Sequence, residues 1–483
     1  MGANALPTDL GTKKIGTLLS EYAWPGIIAM TASSLYNMVD SVYIGHLKDV
    51  GALAISGLGV TAPIMNLSSA LGTLVGVGAA TMTSVYLGQR NYHAAEKALC
   101  NEVTLNTIIG ILFSVVTLLF LDPILLFFGA SENTLPFARD YLKVILWGNV
   151  ITHLYFGLNS MIRVSGAPKL AMNLTLFTVI SNAVLDPVFI FALGMGVKGA
   201  ALATVLCQLM SLTYALYYFT KGKAPIKLPK HIFGLDTRIA KNTLAIGMGP
   251  FLMNAAACIV SLFLNQQLLK YGGDLAIGAY GIANRIIFLF VMVVMGLNQG
   301  MQPIAGYNYG ARKYTRVKEV FNLTIKWAIG VMTAGFLVAQ LIPGAAVSLF
   351  TNDQELKVLS EKALRILCLM LPLVGYQMVS TNLFQSLAMV KKSIFLSLSR
   401  QLIFLVPAVY LLPLWLGIEG VWWSYPVSDF IAFAITLVMM ISLMKRLQRM
   451  QEGEDPKDIL TPKEREEAER QEADNRREES LNR

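Results

Sequence analysis

Along this chain, long apolar runs alternate with short polar gaps. Twelve runs stand out, at about 15–45, 55–86, 99–122, 138–163, 170–193, 198–220, 243–270, 277–306, 318–343, 358–388, 392–415 and 420–445. Each is close to or longer than the roughly 20 residues an α-helix needs to cross a bilayer. Several are longer, which predicts tilt or protrusion beyond the membrane. The pattern predicts an all-α polytopic membrane protein with twelve transmembrane helices.

The pattern also repeats. "LAISGLGV" at 53–60 pairs with "LAIGAYGI" at 275–282, an offset of 222, and at that offset Gly78 meets Gly300, Gly88 meets Gly310, Arg90 meets Arg312 and Tyr92 meets Tyr314. "GVKG" at 196–199 meets "GIEG" at 417–420, and Pro25 and Pro250 lie 225 apart. Six spans repeated in one orientation imply two pseudo-symmetric six-helix lobes, related by an axis along the membrane normal. The division predicted is an N-lobe at 1–220, a cytoplasmic inter-lobe loop at 221–242, a C-lobe at 243–450 and a charged cytoplasmic tail at 451–483. Parallel repeats of this kind mark transporters that rock one lobe against the other. A duplicated receptor or scaffold that does not alternate is the competing class.

Composition sharpens this reading. The chain is 55% hydrophobic and 14% charged, against about 25% charged in soluble domains. Its net charge of +9 hides a split: residues 451–483 hold 7 Lys/Arg and 12 Asp/Glu, leaving 32 basic and 18 acidic residues before them. Those basic residues sit in short gaps (Lys13 and Lys14, Arg90 and Lys97, Arg163 and Lys169, Arg312 to Lys318, Lys391 and Lys392, Lys445 to Arg449), while gaps such as "FFGASENTLP" and "YGGD" are poor in them. That is the positive-inside pattern of a chain facing lipid headgroups, not a nucleic-acid surface. Both termini are expected in the cytoplasm. The tail opens with Thr461, Pro462 and Glu464, a capping-box start for a charged helix or a disordered extension. Cys100, Cys207, Cys258 and Cys368 are scattered without CxxC spacing and read as packing residues. No cleavable signal peptide is visible in "MGANALPTDLGTKK".

Two acids interrupt the apolar runs of the first half. Asp40 lies about five residues before the outer end of span 1 and Asp186 about seven before that of span 5, roughly 7–11 Å deep at 1.5 Å per residue. Thr204 reaches similar depth in span 6. Tyr36 and Asn182 lie one turn before the two acids, on the same helix faces. Five oxygen-bearing side chains can thus converge at one level, a cluster suited to a proton or a hard cation. The alternative makes the acids interfacial or helix-stabilising groups, and Thr204 a packing residue bonded to its own helix. The second half is an internal control: Asp40 meets Asn265, and Asp186 falls near Pro407 and Ala408. Neither acid is repeated, which points to a specialised first lobe.

Other chemistry is sparse. His46, His93, His153 and His231 show no metal-ligand spacing, and no GxxxxGK[ST] motif appears, so neither metal catalysis nor an ATP-driven pump finds support. No enzyme activity and no cofactor are expected. Met30, Met38, Met65 and Met253 fall near the inferred lobe interface, where flexible side chains suit a promiscuous cavity; most methionines are nevertheless apolar filling. Arg285 reads as snorkelling to the outer interface. Asp429 in span 12 reads either as functional or as the buried partner of a group such as Arg400.

The stretches "WPGIIAMTASSLYNMVDSVYIGHL", "RVSGAPKLAMNLTLFTVISNAVLDPVFIFALGMGVKGAALAT" and "GMQPIAGYNYGARKY" resemble the multidrug and toxic compound extrusion (MATE) family, over roughly 15–445. "VD" in span 1, "NAVLDP" in span 5 and "GYNYGA" after span 8 are most similar to its DinF-like prokaryotic branch. The resemblance implies a bacterial inner-membrane antiporter that exports organic compounds against protons or sodium ions. It places the family's cation site on Asp40, Asn182, Asp186 and Thr204, with Tyr36 beside them, Pro25 as the hinge of span 1, and Asn159 as a further polar position. A sodium-coupled branch carries acids in the second lobe; here span 7 has none and span 10 offers only Glu361. The expected partners are small organic molecules and the lipid bilayer, with no nucleic acid, for a monomer. A lipid-linked saccharide flippase of the same superfamily is the nearest rival. It needs several basic groups for a pyrophosphate, and only Arg163, Arg285 and Arg400 are candidates.

Overall fold

The computed structural model describes residues 9–45, 51–229, 234–351 and 353–453; for 35–42, 45, 51–53, 55 and 274 the description covers the backbone alone. Twelve long helical segments run through the described residues, six in each half, with short helices at Asp9–Thr12, Leu121–Phe127 and Pro343–Ser348 outside them. The first six are α1 (Ile15–Gly45), α2 (Gly51–Gly88), α3 (Tyr92–Leu119), α4 (Leu135–Trp147 and Asn149–Val164), α5 (Pro168–Pro187, continuing as a π-helix over Val188–Ala192) and α6 (Val197–Thr220). The second six are α7 (Thr237–Gly273), α8 (Leu275–Gly310), α9 (Tyr314–Leu341), α10 (Gln354–Leu367 and Leu371–Ser386), α11 (Val390–Leu416, with a π-helix over Ser399–Leu405) and α12 (Ile418–Gln451). Among the described residues nine are individually long and apolar enough to cross a membrane, and the two pieces of α10, bent by 53°, qualify together.

Several helices overrun their apolar cores, because polar residues at the membrane edge extend them: α3 starts at Tyr92, capped by the Asn91 side chain accepting from the Ala94 N–H, where hydrophobicity alone marks 99. Two breaks are invisible to hydrophobicity. α4 is interrupted at Gly148, where a Cβ would meet Val205 of α6 at 2.4 Å. α10 breaks over Cys368–Met370, with Pro372 in the first turn of its second piece.

The halves share backbone detail as well as order. Arg90 and Arg312, 222 apart, both have φ of 58°. Each ends its helix with the same cap: the Asn91 N–H bonds the Tyr86 carbonyl and the Lys313 N–H the Asn308 carbonyl, at 2.9 and 2.8 Å. Such left-handed caps usually use glycine. The "GVKG" and "GIEG" motifs have one explanation in both halves. Gly196 and Gly417 turn with φ of 55° and 60°. A Cβ on Gly199 or Gly420 would strike the backbone of Phe189 or Leu412 within 2.7 Å.

The halves meet through glycine. A Cβ at Gly247 of α7 would lie 1.7 Å from the Leu74 carbonyl oxygen of α2, and one at Gly78 of α2 would lie 2.0 Å from that of Thr243. Gly88 and Gly310 stand in the same relation to Tyr307 and Val85, at 2.0 and 2.1 Å. α1 joins α8 likewise, through Gly26, Gly296 and Gly300. This seam lies toward the ends of α2 and α8 that carry Arg90 and Arg312, the basic face. Small residues let helix backbones touch where no hydrophobic drive separates protein from lipid.

Candidate ion-coupling site

α5 brings Asn182 and Asp186, four residues apart, to one buried face; both are 0% exposed. The Asn182 Nδ2 donates to Asp186 Oδ1 at 3.2 Å and to Thr204 Oγ1 of α6 at 3.3 Å. Thr204 also donates to the Ala200 carbonyl one turn back, at 3.0 Å. Asn182 Oδ1 has no hydrogen-bond partner among the described residues. Asp186 precedes the end of its helical segment by six residues and Thr204 follows the start of α6 by seven. At 1.5 Å per residue both lie roughly 10 Å from the same end.

The local sequence explains why α1 docks here. Pro187 has no N–H, so the Ala183 carbonyl loses its helical donor. The Tyr43 hydroxyl of α1 reaches that carbonyl, at 3.4 Å. Beyond Pro187 the helix widens into its π-turn, a feature common beside functional sites. Asp40 stands one turn before Tyr43 in α1; its side chain, and those of Tyr36 and Met38, lie outside the described residues, as do His46 and His231. Pro25 is buried within α1, which is helical without interruption from Ile15 to Gly45.

The structure separates Asn159 from this cluster. Its amide donates to Thr175 Oγ1 at 3.1 Å and to the Ala171 carbonyl at 3.3 Å, eleven residues along α5 from Asp186 and so roughly 16 Å away. Between them runs a polar line that the sequence reading missed: Thr178 to Ser211 at 2.6 Å, and Thr152 to Gln208 at 2.5 Å. Gln208 lies one turn after Thr204, so the same four-residue spacing would have found it. Met30 and Met65 are half-buried and Met253 is exposed, as is Arg285. Arg400 and Asp429 do pair: Arg400 Nε donates to Asp429 Oδ1 at 2.7 Å. The arginine sits on the π-turn of α11.

The MatE family model matches the chain twice, over residues 25–188 and 250–411. This chain belongs to the MatE family. The two matches begin at Pro25 and Pro250, the prolines paired by the internal repeat, and the first contains Asp40, Asn182 and Asp186. MatE relatives named as multidrug export proteins align along nearly the whole chain. MepA of Staphylococcus aureus (strain MSSA476) is 28% identical over 430 residues, covering 89% of this chain and 94% of its own. MepA of Staphylococcus haemolyticus (strain JCSC1435) is 27% identical over the same span. Among solved structures, a MATE protein in its bent conformation superposes with a TM-score of 0.87 at 24% identity, covering 93% of this chain and all of its own. An outward-facing multidrug resistance MATE transporter gives 0.86, also at 24%. These likenesses fix the fold: a MatE protein is a multi-pass membrane transporter of two six-helix lobes.

Proposed function

We propose that this MatE protein is an ion-coupled antiporter that exports amphipathic, often cationic, organic compounds by alternating access. The observation that carries the reading is the buried Asn182 amide joining Asp186 on α5 to Thr204 on α6. A carboxylate buried within a transmembrane lobe is a functional-site signature, and this one has oxygen-bearing partners. With its Nδ2 turned inward, Asn182 clamps the carboxylate. Rotated by half a turn about its last bond, it offers Oδ1 beside Asp186 and Thr204 oxygens, a set suited to a hard cation. Proton and sodium coupling are both compatible with these residues. Asp40 would complete the site from α1. The bacterial cell membrane as location, cytoplasmic termini, the monomeric state and the lobe division at 220 and 243 belong to the same proposal.

The closed seam on the basic face supports the outward-facing arrangement as the state captured. Of the flippase rival's three candidate bases, Arg400 is already neutralised by Asp429 and Arg285 is exposed, which leaves Arg163 alone where a pyrophosphate needs several. Purified protein in proteoliposomes, with pH and sodium gradients imposed separately against a panel of dyes and drugs, tests the reading. Export driven by neither gradient overturns it.

A further inference from the structure

A second buried polar cluster lies in the first lobe, between α2, α3 and α4, and the ion-coupling reading does not use it. Glu102 of α3 is 0% exposed, and no cation among the described residues pairs with it. Asn106, one turn on, donates to Glu102 Oε1 at 2.6 Å and to the His153 carbonyl of α4 at 3.4 Å. His153 is itself 0% exposed, packed against Gly72 of α2 and Gly110 of α3. Gly157 leaves room for the acid, since a Cβ there would fall 1.7 Å from Glu102 Oε1 and displace the carboxyl.

Counting hydrogens shows what the cluster lacks. Ser68 Oγ lies 2.6 Å from Asn149 Oδ1 and 3.0 Å from His153 Nε2. The Asn149 amide nitrogen faces the Gly110 carbonyl, so its oxygen must accept the Ser68 proton. Ser68 therefore accepts from Nε2–H, which leaves Nδ1 bare in the neutral ring. Three buried acceptors then have no donor among the described residues: Glu102 Oε2, Asn106 Oδ1 and His153 Nδ1. A buried polar group left without a partner costs the full loss of its hydration. The network is short of protons.

The second lobe shows that the fold does not need this network. At the offset of 222, Ser68, Glu102, Asn106, Gly110, Asn149 and His153 become Phe290, Thr324, Ala328, Met332, Leu371 and Gly375. Those counterparts meet in the same way: Gly375 packs on Met332 and Ala328, and Gly335 on Leu371 and Phe290. His153 against Gly110 is replaced by Gly375 against Met332, a size swap in an apolar interior. An apolar solution was available, and the first lobe does not use it.

We propose that Glu102 is a second proton-binding carboxyl of the first lobe, with Asn106 and the His153–Ser68–Asn149 chain as the groups that position it. A proton taken up on Oε2 removes a buried charge and adds a donor to the cluster; its loss leaves a carboxylate held by Asn106 alone. The charged groups on the neighbouring elements are Glu96 and Lys97 on α3, the latter paired with Asp236; Arg238 and Lys241 at the start of α7; and on α4 Arg139 and Asp140, paired with Asp122 and Lys198, Lys143, and Arg163 near the inner end; α2 brings none. None of them forms an ion pair with Glu102, so proton uptake and release are its means of changing charge.

Two measurements test this, and only the second rests on ion-coupled transport. Glu102 is the one fully buried glutamate among the described residues. In native protein carrying 13C-carboxyl glutamate, infrared spectra at neutral pH should show one isotope-shifted protonated-carboxyl band. It should persist in Asp40→Asn/Asp186→Asn protein and be lost in E102Q if that variant accumulates. Absence of the band in the native protein overturns the proposal. In proteoliposomes, E102Q mimics the loaded acid and supplies its own donors, so export should continue with one fewer proton moved per substrate. An unchanged proton count would make Glu102 a structural group. Failure of Asp40→Asn to affect export would sink the main site and leave both readouts on Glu102 standing.

Discussion

Asn101 grips Asp236 by both its backbone N–H and its carbonyl. The Asp236 N–H donates to Asn101 Oδ1 at 2.9 Å, and Asn101 Nδ2 donates to the Asp236 carbonyl at 2.8 Å. Lys97 pairs with the Asp236 carboxylate at 3.1 Å, and Glu96 accepts from the Lys227 N–H at 3.0 Å. The connection between the lobes is thus tied down along α3. The Asp236 carboxyl also caps α7, accepting from the Ile239 N–H. Burial works against its charge, but the Ile239 N–H and Lys97 outweigh that and hold it below its ordinary value of 3.8. A carboxyl depressed on folding stabilises above its unfolded value, and that stability is lost as pH falls through the folded one. Hydrogen exchange at 237–240 should therefore accelerate only below about pH 4. Asn101→Leu should lower stability by about 1–3 kcal/mol at neutral pH, read as a drop in Tm.

The lobes should be unequal in function. Asp186→Asn and Asp40→Asn should each cut gradient-driven export by about tenfold or more, a barrier change of about 1.4 kcal/mol. Asn265→Ala, at the position paired with Asp40 and exposed on α7, should keep export within about twofold. Equal losses in vesicle transport would point to general damage.

Asp429 is buried, its side chain 4% exposed, and pairs with a half-buried Arg400, 28% exposed. Arg400→Met strands that charge and should destabilise the protein by about 3 kcal/mol or more, while Arg400→Met/Asp429→Leu should recover most of the loss. Thermal unfolding in detergent reads both. A double variant no better than the single would mean that the charges do more than satisfy each other.

Widening the seam should open the basic face. Ser84 is fully buried against Gly306. A cysteine placed there, in protein freed of Cys258, should resist a water-soluble maleimide. Adding Gly247→Leu should expose it, since any side chain at 247 collides with the Leu74 backbone. Protection that survives the substitution would show that the seam does not control access.

Orientation has a direct check. A reporter active only in the cytoplasm should work when fused at Lys230 or Arg449 and be silent within 271–275. Activity at 271–275 would invert the topology.

The twelve spans and the duplication were legible because hydrophobic length and a constant offset are properties of the chain itself. Asn182, Asp186 and Thr204 were legible for a related reason, since helical spacing and depth can be counted. Glu102 and Asn106 share the four-residue spacing of Asn182 and Asp186 and still escaped. What marks them as special lies on other helices, in Gly157, Gly72 and the tautomer that Ser68 imposes on His153. The pairing of Arg400 with Asp429 was foreseen as one of two readings. The break in α10 was not, because Cys368, Leu369 and Met370 are as apolar as their neighbours.

The seam between α2 and the second half has a kinetic consequence. Contacts between side chains can be loosened by degrees, one rotamer after another. At Gly78, Gly88, Gly247 and Gly310 the partners are peptide carbonyls and no side chain stands between them. Nothing there can yield gradually: the helices either touch or have separated far enough for lipid or water to enter. Exchange between the two faces should therefore resemble the release of a latch more than the bending of a spring, with two populated arrangements, few between, and a turnover rate set by how often the latch lets go.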